Sequence, residues 1–203
     1  MDTESRNRLE EEIRAQCDAG QHGAAATAAI KGYGPEILGY LVATARTETD
    51  AADAFSMFCE DVWRGLPRFR FASSLRTWAY TLARHALYRL VRDPERRRPK
   101  VSPSEAPELA QLAENVRTST LMHLRTEIKD KVAALREQLD EEDRTILILR
   151  VDRKLAWQDI ARVLADEDIT AADATKRSAA LRKRFERIKE RLRKLAAEVR
   201  SVD

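Results

Sequence analysis

The residues best suited to chemistry lie in the stretch Leu75–Leu90. One stripe of it is apolar, Leu75, Trp78, Ala79, Leu82, Ala83, Ala86, Leu87 and Leu90, with the period of an amphipathic helix. The other face carries Arg76, Thr77, Tyr80, Thr81, Arg84, Tyr88 and Arg89. A core helix needs only the first face. Guanidinium groups interleaved with phenol rings suit phosphates and unpaired bases, the one by charge and the other by stacking. That is the chemistry of binding rather than of bond breaking.

Nothing in the chain suggests a reaction centre. There is no GxxxxGK[ST] phosphate loop, GxSxG elbow or GxGxxG turn, the motifs that would carry phosphoryl, acyl or dinucleotide chemistry. His22, His85 and His123 are scattered, and Cys17 and Cys59 form no CxxC pair. The expectation is two reduced thiols with Cys59 buried. No metal, no cofactor and no enzymatic activity are expected. The opening MDTESRNRLEEEIR is charged and lacks the apolar core of a signal peptide. No apolar run approaches the roughly 18 residues of a membrane helix. The expectation is a cytoplasmic protein without membrane insertion.

The 203 residues carry a net charge of +3, which hides an asymmetry. Arg64–Arg98 holds 10 basic and two acidic residues, and Lys176–Arg200 holds 11 basic and three acidic ones. Two cationic blocks therefore sit in an otherwise acidic chain. One block alone is an ordinary solvated helix face. Two blocks on either side of a linker, one interleaved with rings, point to two nucleic-acid contacts. The linker is DPERRRPKVSPSEAPE, with four of the six prolines and no hydrophobic period. It divides the chain into residues 1–93, a tether at 94–119 with a short helix at Leu109–Arg117, and residues 120–203.

Aromatic residues make up 6% of the chain, and Gly and Pro number six each, which favours an all-α fold. A short helix is expected at Glu36–Ala45 after Gly34-Pro35. Another should begin near Asp50–Asp53, with the stripe Phe55, Phe58, Cys59, Val62, Leu66. Ser73 or Ser74 suits the N-cap of the Arg/Tyr helix. In the second half, helices are expected at Leu121–Leu139, from Asp140 to about Val151, at Ala156–Ala165, and finally along Leu181, Phe185, Ile188, Leu192, Leu195 and Val199. Three helices ending in a cationic amphipathic one follow the helix-turn-helix plan.

Two stretches are more specific. WRGLPRFRFASSLRTWAYTLARHAL, Trp63–Leu87, resembles region 2 of the extracytoplasmic-function (ECF) sigma factors. LDEEDRTILILRVDRKLAWQDIARVL, Leu139–Leu164, followed by SAALRKRFERIKERLRKL, Ser178–Leu195, resembles their region 4. The resemblance implies two helical domains on a flexible linker. It implies a protein that directs core RNA polymerase to promoters and helps melt the DNA. Region 2 would dock on the β′ coiled coil and read the −10 element, while region 4 would sit on the β flap and read the −35 element. An anti-sigma factor is an implied further partner.

Residue by residue, the resemblance makes Phe69–Ser74 the pocket for a flipped −10 base. It assigns Phe69, Arg70, Ser73, Ser74, Arg76, Tyr80, Arg84, His85 and Tyr88 to −10 DNA. Trp78, on the apolar stripe, is read as core before DNA. Ser178, Arg182, Lys183, Arg184 and Arg187 match the −35 positions, and Asp53, Glu60, Asp61 and Arg64 the polymerase-facing side. The sequence departs from the pattern at Phe71 and Ala72, where the family has Gly and an acid. Losing the Gly removes backbone freedom in the loop. His85 replaces an Asn, and Arg89 stands where an Asp is usual, adding positive charge beside the −10 strand. Asp166–Arg177 lengthens the turn before the last helix, which starts near Thr170 in one alignment and near Ser178 in the favoured one. The rival reading is a stand-alone helix-turn-helix regulator that binds duplex DNA without polymerase.

Overall fold

The computed structural model describes residues 1–93, 107–127, 136 and 138–200. All regular structure among them is helical, as expected. The chain forms two compact units, Met1–Thr126 and Glu127–Asp203.

The first unit is built on α2, His22–Thr44. Around it pack α1 (Thr3–Asp18), α3 (Glu48–Gly65) and α4 (Leu75–Arg92). The expected break at Gly34-Pro35 does not occur, because α2 runs straight through Pro35. Proline has no N–H to offer the carbonyl of Lys31, but packing outweighs that loss: Ala25, Ala26, Ala29, Ile30, Tyr33, Ile37, Leu38, Tyr40 and Leu41 are all buried. The glycines permit close approach. A Cβ on Gly32 would lie 2.2 Å from Leu9 Cδ2, and one on Gly34 would lie 2.9 Å from Val116 Cγ1.

Val116 belongs to α5, Pro107–Glu127. The short helix expected at Leu109–Arg117 is thus present, and it is longer than expected at both ends. Pro107 occupies the first helical position, which proline tolerates. Leu109, Ala113 and Val116 then recur at helical spacing and are buried. The Leu121–Leu139 helix falls partly outside the described residues, as do 94–106.

Local signals place the other boundaries. Thr47 Oγ1 accepts from the Asp50 N–H at 3.0 Å, so α3 begins slightly earlier than expected. Its buried face holds Phe55, Phe58, Cys59 and Val62 as expected, and burial pushes the Cys59 thiol well up. Cys17 is half-buried. A single 3₁₀ turn, Leu66–Arg68, leads into the loop, and Ser74 caps α4 by accepting from the Thr77 N–H at 3.1 Å.

The buried face of α4 is rotated from the one the apolar stripe suggests. Thr77 and Tyr80 are inside, while Trp78 and Leu82 are only half-buried. The cause is polar. Glu36 on α2 accepts from the Tyr80 hydroxyl at 2.7 Å and from Arg76 Nε at 3.0 Å. The Tyr40 ring meets Tyr80 edge-on at 5.3 Å. Burial works against the Arg76 charge, and the Glu36 carboxylate more than offsets it, so the Arg76 pKa is raised.

The second unit contains α6 (Glu141–Leu147), a π-helical turn at Ile148–Asp152, α7 (Trp157–Val163) and α8 (Ala171–Arg200). Its core joins Leu139, Ile146, Leu147 and Ile188 to Trp157, Leu164, Leu181, Phe185 and Leu192. Asp140 caps α6, accepting from the Asp143 N–H at 2.8 Å. The last helix does not start at Ser178. Thr170 caps it, accepting from the Asp173 N–H at 3.1 Å and donating to the Asp173 carboxylate at 2.7 Å. Much of the expected long turn is thus helix, and Ala174, well before Ser178, is already buried.

Two measurements test these attachments. Glu36→Ala removes the acceptor shared by a nearly buried arginine and a buried tyrosine. The first unit should lose about 3 kcal/mol, read by urea unfolding through Trp63 and Trp78 in a Trp157→Phe background; an unchanged midpoint would refute the attachment. The second test is acidification. The Asp140 pKa is lowered, first by the Asp143 N–H and with a smaller contribution from Arg184. A depressed carboxylate stabilises fully above its unfolded pKa and loses that effect as pH falls through the folded value. Protection of the α6 amides against exchange should fall as the pH drops below the ordinary aspartate range of about 4, and Asp140→Asn, which keeps a cap but cannot titrate, should flatten the response.

Candidate nucleic-acid interface

The loop between the 3₁₀ turn and α4 is organised by rings. Phe69 stacks on Trp78 at 4.7 Å with 26° between planes, and Phe71 meets Phe69 at 4.7 Å and 53°. Gly65 makes room beneath, since a Cβ there would come within 3.0 Å of the indole. At the other end the Arg14 guanidinium lies over the Phe71 ring at 5.1 Å. The result is a ladder of Trp78, Phe69, Phe71 and Arg14.

Phe71 has φ 54°. Its backbone takes the left-handed conformation that glycine adopts freely and a phenylalanine adopts only under strain. The residue standing where the resembled pattern has Gly thus takes a glycine-like backbone conformation here. The contacts of the ring offset the strain.

Beyond the loop, α4 presents Thr81, Arg84, His85 and Tyr88 at i, i+3, i+4 and i+7, so they share one side of the helix. The Arg84 guanidinium lies 5.3 Å over the Tyr88 ring, and Tyr88 is 48% exposed. Arg68 and Arg70 are exposed at the loop. A cation held over a ring, on the helix whose Trp78 ends an aromatic ladder, suits gripping a backbone and stacking a base.

The expected −10 set divides in two. Phe69, Arg70, Ser73, Arg84, His85 and Tyr88 lie on the loop or the outer part of α4, with Ser74 at the junction as the cap. Arg76 and Tyr80 do not join them. Tyr80 is 0% exposed, and the Arg76 side chain is 12% exposed and ion-paired to Glu36. Both expectations of surface contact are corrected: each has the polar partner that burial requires, and that partner lies inside the unit. Arg89 likewise pairs with Asp61 across α3 and α4, so its charge is met within the protein rather than offered beside the loop.

On α3, Asp53, Glu60 and Asp61 are half-buried and Arg64 is exposed. In the second unit Arg182, Lys183 and Arg187 are exposed on α8. Ser178 is buried at 4% and donates to the Thr175 carbonyl at 2.7 Å. Arg184 is held by Asp143 at 2.5 Å, Glu142 at 2.6 Å and Asp140 at 3.4 Å. Burial opposes its charge, but the hydrogen bonds from Glu142 and Asp143 raise its pKa. Ser178 and Arg184 thus fasten α8 to its own unit, which corrects their expected place among the outward residues. The N-terminus of α7 also bonds to α8, with Gln158 Nε2 donating to Thr175 Oγ1 at 3.0 Å.

Two participants escaped sequence reasoning. Phe71 was legible as an aromatic residue out of pattern, but its partner Arg14 lies 57 positions away. Glu10 left no signal. Its carboxylate accepts from the backbone N–H groups of Leu75 at 2.8 Å and Arg76 at 3.0 Å, and from the Tyr33 hydroxyl at 2.7 Å. Burial, with Glu10 beside it, drives the Tyr33 phenol pKa well up.

Among the described residues no group of three or more His, Cys, Asp or Glu is placed to hold a metal, and no helix is long and apolar enough to cross a membrane. Residues 29–98 match the family model of sigma-70 region 2, a span that takes in the three rings Phe69, Phe71 and Trp78 and the Arg84–Tyr88 pair but not Arg14. The chain is also similar to the RNA polymerase sigma factor YlaC of Bacillus subtilis (strain 168), at 30% identity over 138 residues, which cover 65% of this chain and 75% of that protein. Helical architecture, cation-and-ring surface and both similarities agree: the chain belongs to the ECF-type RNA polymerase sigma factors, the proteins that bring core polymerase to promoters to initiate transcription.

Proposed function

We propose that this sigma factor reads its promoter with two separate modules. The first unit takes the −10 element. The ladder of Phe69, Phe71 and Trp78 receives an unstacked base, Arg70 and Ser73 flank it, and Arg84, His85 and Tyr88 follow the opened strand. Arg76 and Tyr80 hold α4 in place for that task. The exposed side of α3, with Asp53, Glu60, Asp61 and Arg64, meets the β′ coiled coil. The second unit takes the −35 element through Arg182, Lys183 and Arg187 on α8 and rests on the β flap. The residues linking the modules form the tether, and the protein is cytoplasmic, non-enzymatic and held in check by an anti-sigma factor covering the polymerase-facing side.

The observation that carries this reading is the Arg84–Tyr88 pair on the same helix as Trp78, with the rings of Phe69, Phe71 and Trp78 inside the segment that matches region 2. A duplex reader needs edge-on hydrogen bonding in a groove. Ring faces in series serve bases that have left the stack. Each DNA contact is small, so useful affinity comes from mounting both modules on one polymerase, where the second contact becomes intramolecular.

Run-off transcription with reconstituted core polymerase tests this directly. The sigma factor should start transcripts from genomic promoters, and failure at every promoter would contradict the reading. The free protein should bind promoter duplex weakly and with a steep salt dependence. A tight, specific gel shift at physiological salt without polymerase would favour a stand-alone regulator instead.

A further inference from the structure

The N-terminal helix packs on α2, yet two of its side chains reach past α2 toward the loop. Glu10 places both carboxylate oxygens on the start of α4. One accepts from the Leu75 N–H, and the other from the Arg76 N–H and the Tyr33 hydroxyl. These amides belong to the first turn of α4, where N–H groups have no partner within the helix and where a negative charge is favoured by the helix dipole. Ser74 already caps the Thr77 N–H. The start of α4 therefore has a second cap, supplied from 65 residues away.

One turn further along α1, Arg14 covers the ring of Phe71. Glu10 and Arg14 are four residues apart and face the same way. Between the two grips lies the loop, including a residue in a strained backbone conformation. Strain of that kind persists only where surrounding contacts fix it. Next to them in the chain stand Leu9 and Ile13, Leu9 set against Gly32 and Ile13 fully buried, which give α1 a fixed seat from which to act.

We infer that α1 is the positioning element of the strand-capturing loop: Glu10 fixes where α4 begins, and Arg14 holds the outer rung of the ladder, so that Phe69, Phe71 and Trp78 stand ready before DNA arrives. This inference rests on the −10 reading proposed above. Pre-organising a binding loop raises affinity by removing the cost of ordering it on contact. Neither residue is required to touch DNA.

The test uses the full chain with core polymerase and a promoter fragment that the wild-type holoenzyme transcribes. Glu10→Ala, Glu10→Gln, Arg14→Ala and Arg84→Ala are compared for polymerase affinity by competition, for thermal unfolding, and for promoter opening by permanganate reactivity over a range of salt. Glu10→Ala and Arg14→Ala should each reduce opening about five- to tenfold at limiting holoenzyme, with polymerase affinity unchanged. Glu10→Gln should recover much of the loss, since its one oxygen still accepts from the α4 amides. The salt slope should stay at the wild-type value for both α1 positions. It should fall by about 0.7 for Arg84→Ala, a direct phosphate contact on a single strand.

Full opening by Glu10→Ala and Arg14→Ala, with Arg84→Ala impaired, overturns the inference and leaves the −10 reading standing. Full opening by Arg84→Ala as well removes the reading beneath it. A parallel drop in polymerase affinity and unfolding temperature, without rescue by Glu10→Gln, overturns the inference by reducing α1 to a scaffold. A lowered salt slope for Arg14→Ala overturns its positioning role by making Arg14 a DNA contact.

Discussion

The first unit depends on the attachment of α4 to α2 through the Glu36 carboxylate. Three groups meet there: a buried phenol, a nearly buried guanidinium and the acid between them. A buried charge without a counter-charge is costly, and a buried hydroxyl without an acceptor is costly too. The site therefore admits one rotation of α4, with Tyr80 and Arg76 inward. That rotation leaves Tyr88 exposed and Arg84 and His85 half-buried on another side of the helix. The function of the outer face follows from how the inner face is satisfied.

The same division of labour recurs in the second unit. Its cations are not equivalent. Arg184 serves three carboxylates near the start of α6, and Arg136 pairs with Asp152 through two hydrogen bonds at 2.9 and 3.0 Å. Arg182, Lys183 and Arg187 project outward from the same helix as Arg184. Net charge marks a basic helix as a nucleic-acid surface, but it does not say which charges are spent internally. Only the acids opposite, supplied by other elements, decide that.

Much of the fold was legible in advance because its signals are local. The N-caps at Ser74 and Asp140, the buried stripe of α3 and the apolar period of the last helix are each read within a few residues. The misreadings arose where a distant group prevailed. Pro35 predicts a break, but the buried alanines and glycines of α2 carry the helix through it. Tyr80 reads as a surface ring until Glu36, 44 residues earlier, supplies its acceptor. Phe71 reads as a residue that forbids the glycine conformation until Phe69 and Arg14 are seen to hold it there. The start of α8 at Thr170 was available as one of two alignments, and the Asp173 amide bond to its hydroxyl decides between them.

Placing a photoactivatable base at each position of the opened non-template strand, and mapping its cross-links in the holoenzyme by mass spectrometry, tests the central claim most directly. The account predicts cross-links to the peptide containing Phe69–Phe71 and to the Arg84–Tyr88 segment. Cross-links confined to α8, or none in the first unit, would contradict it.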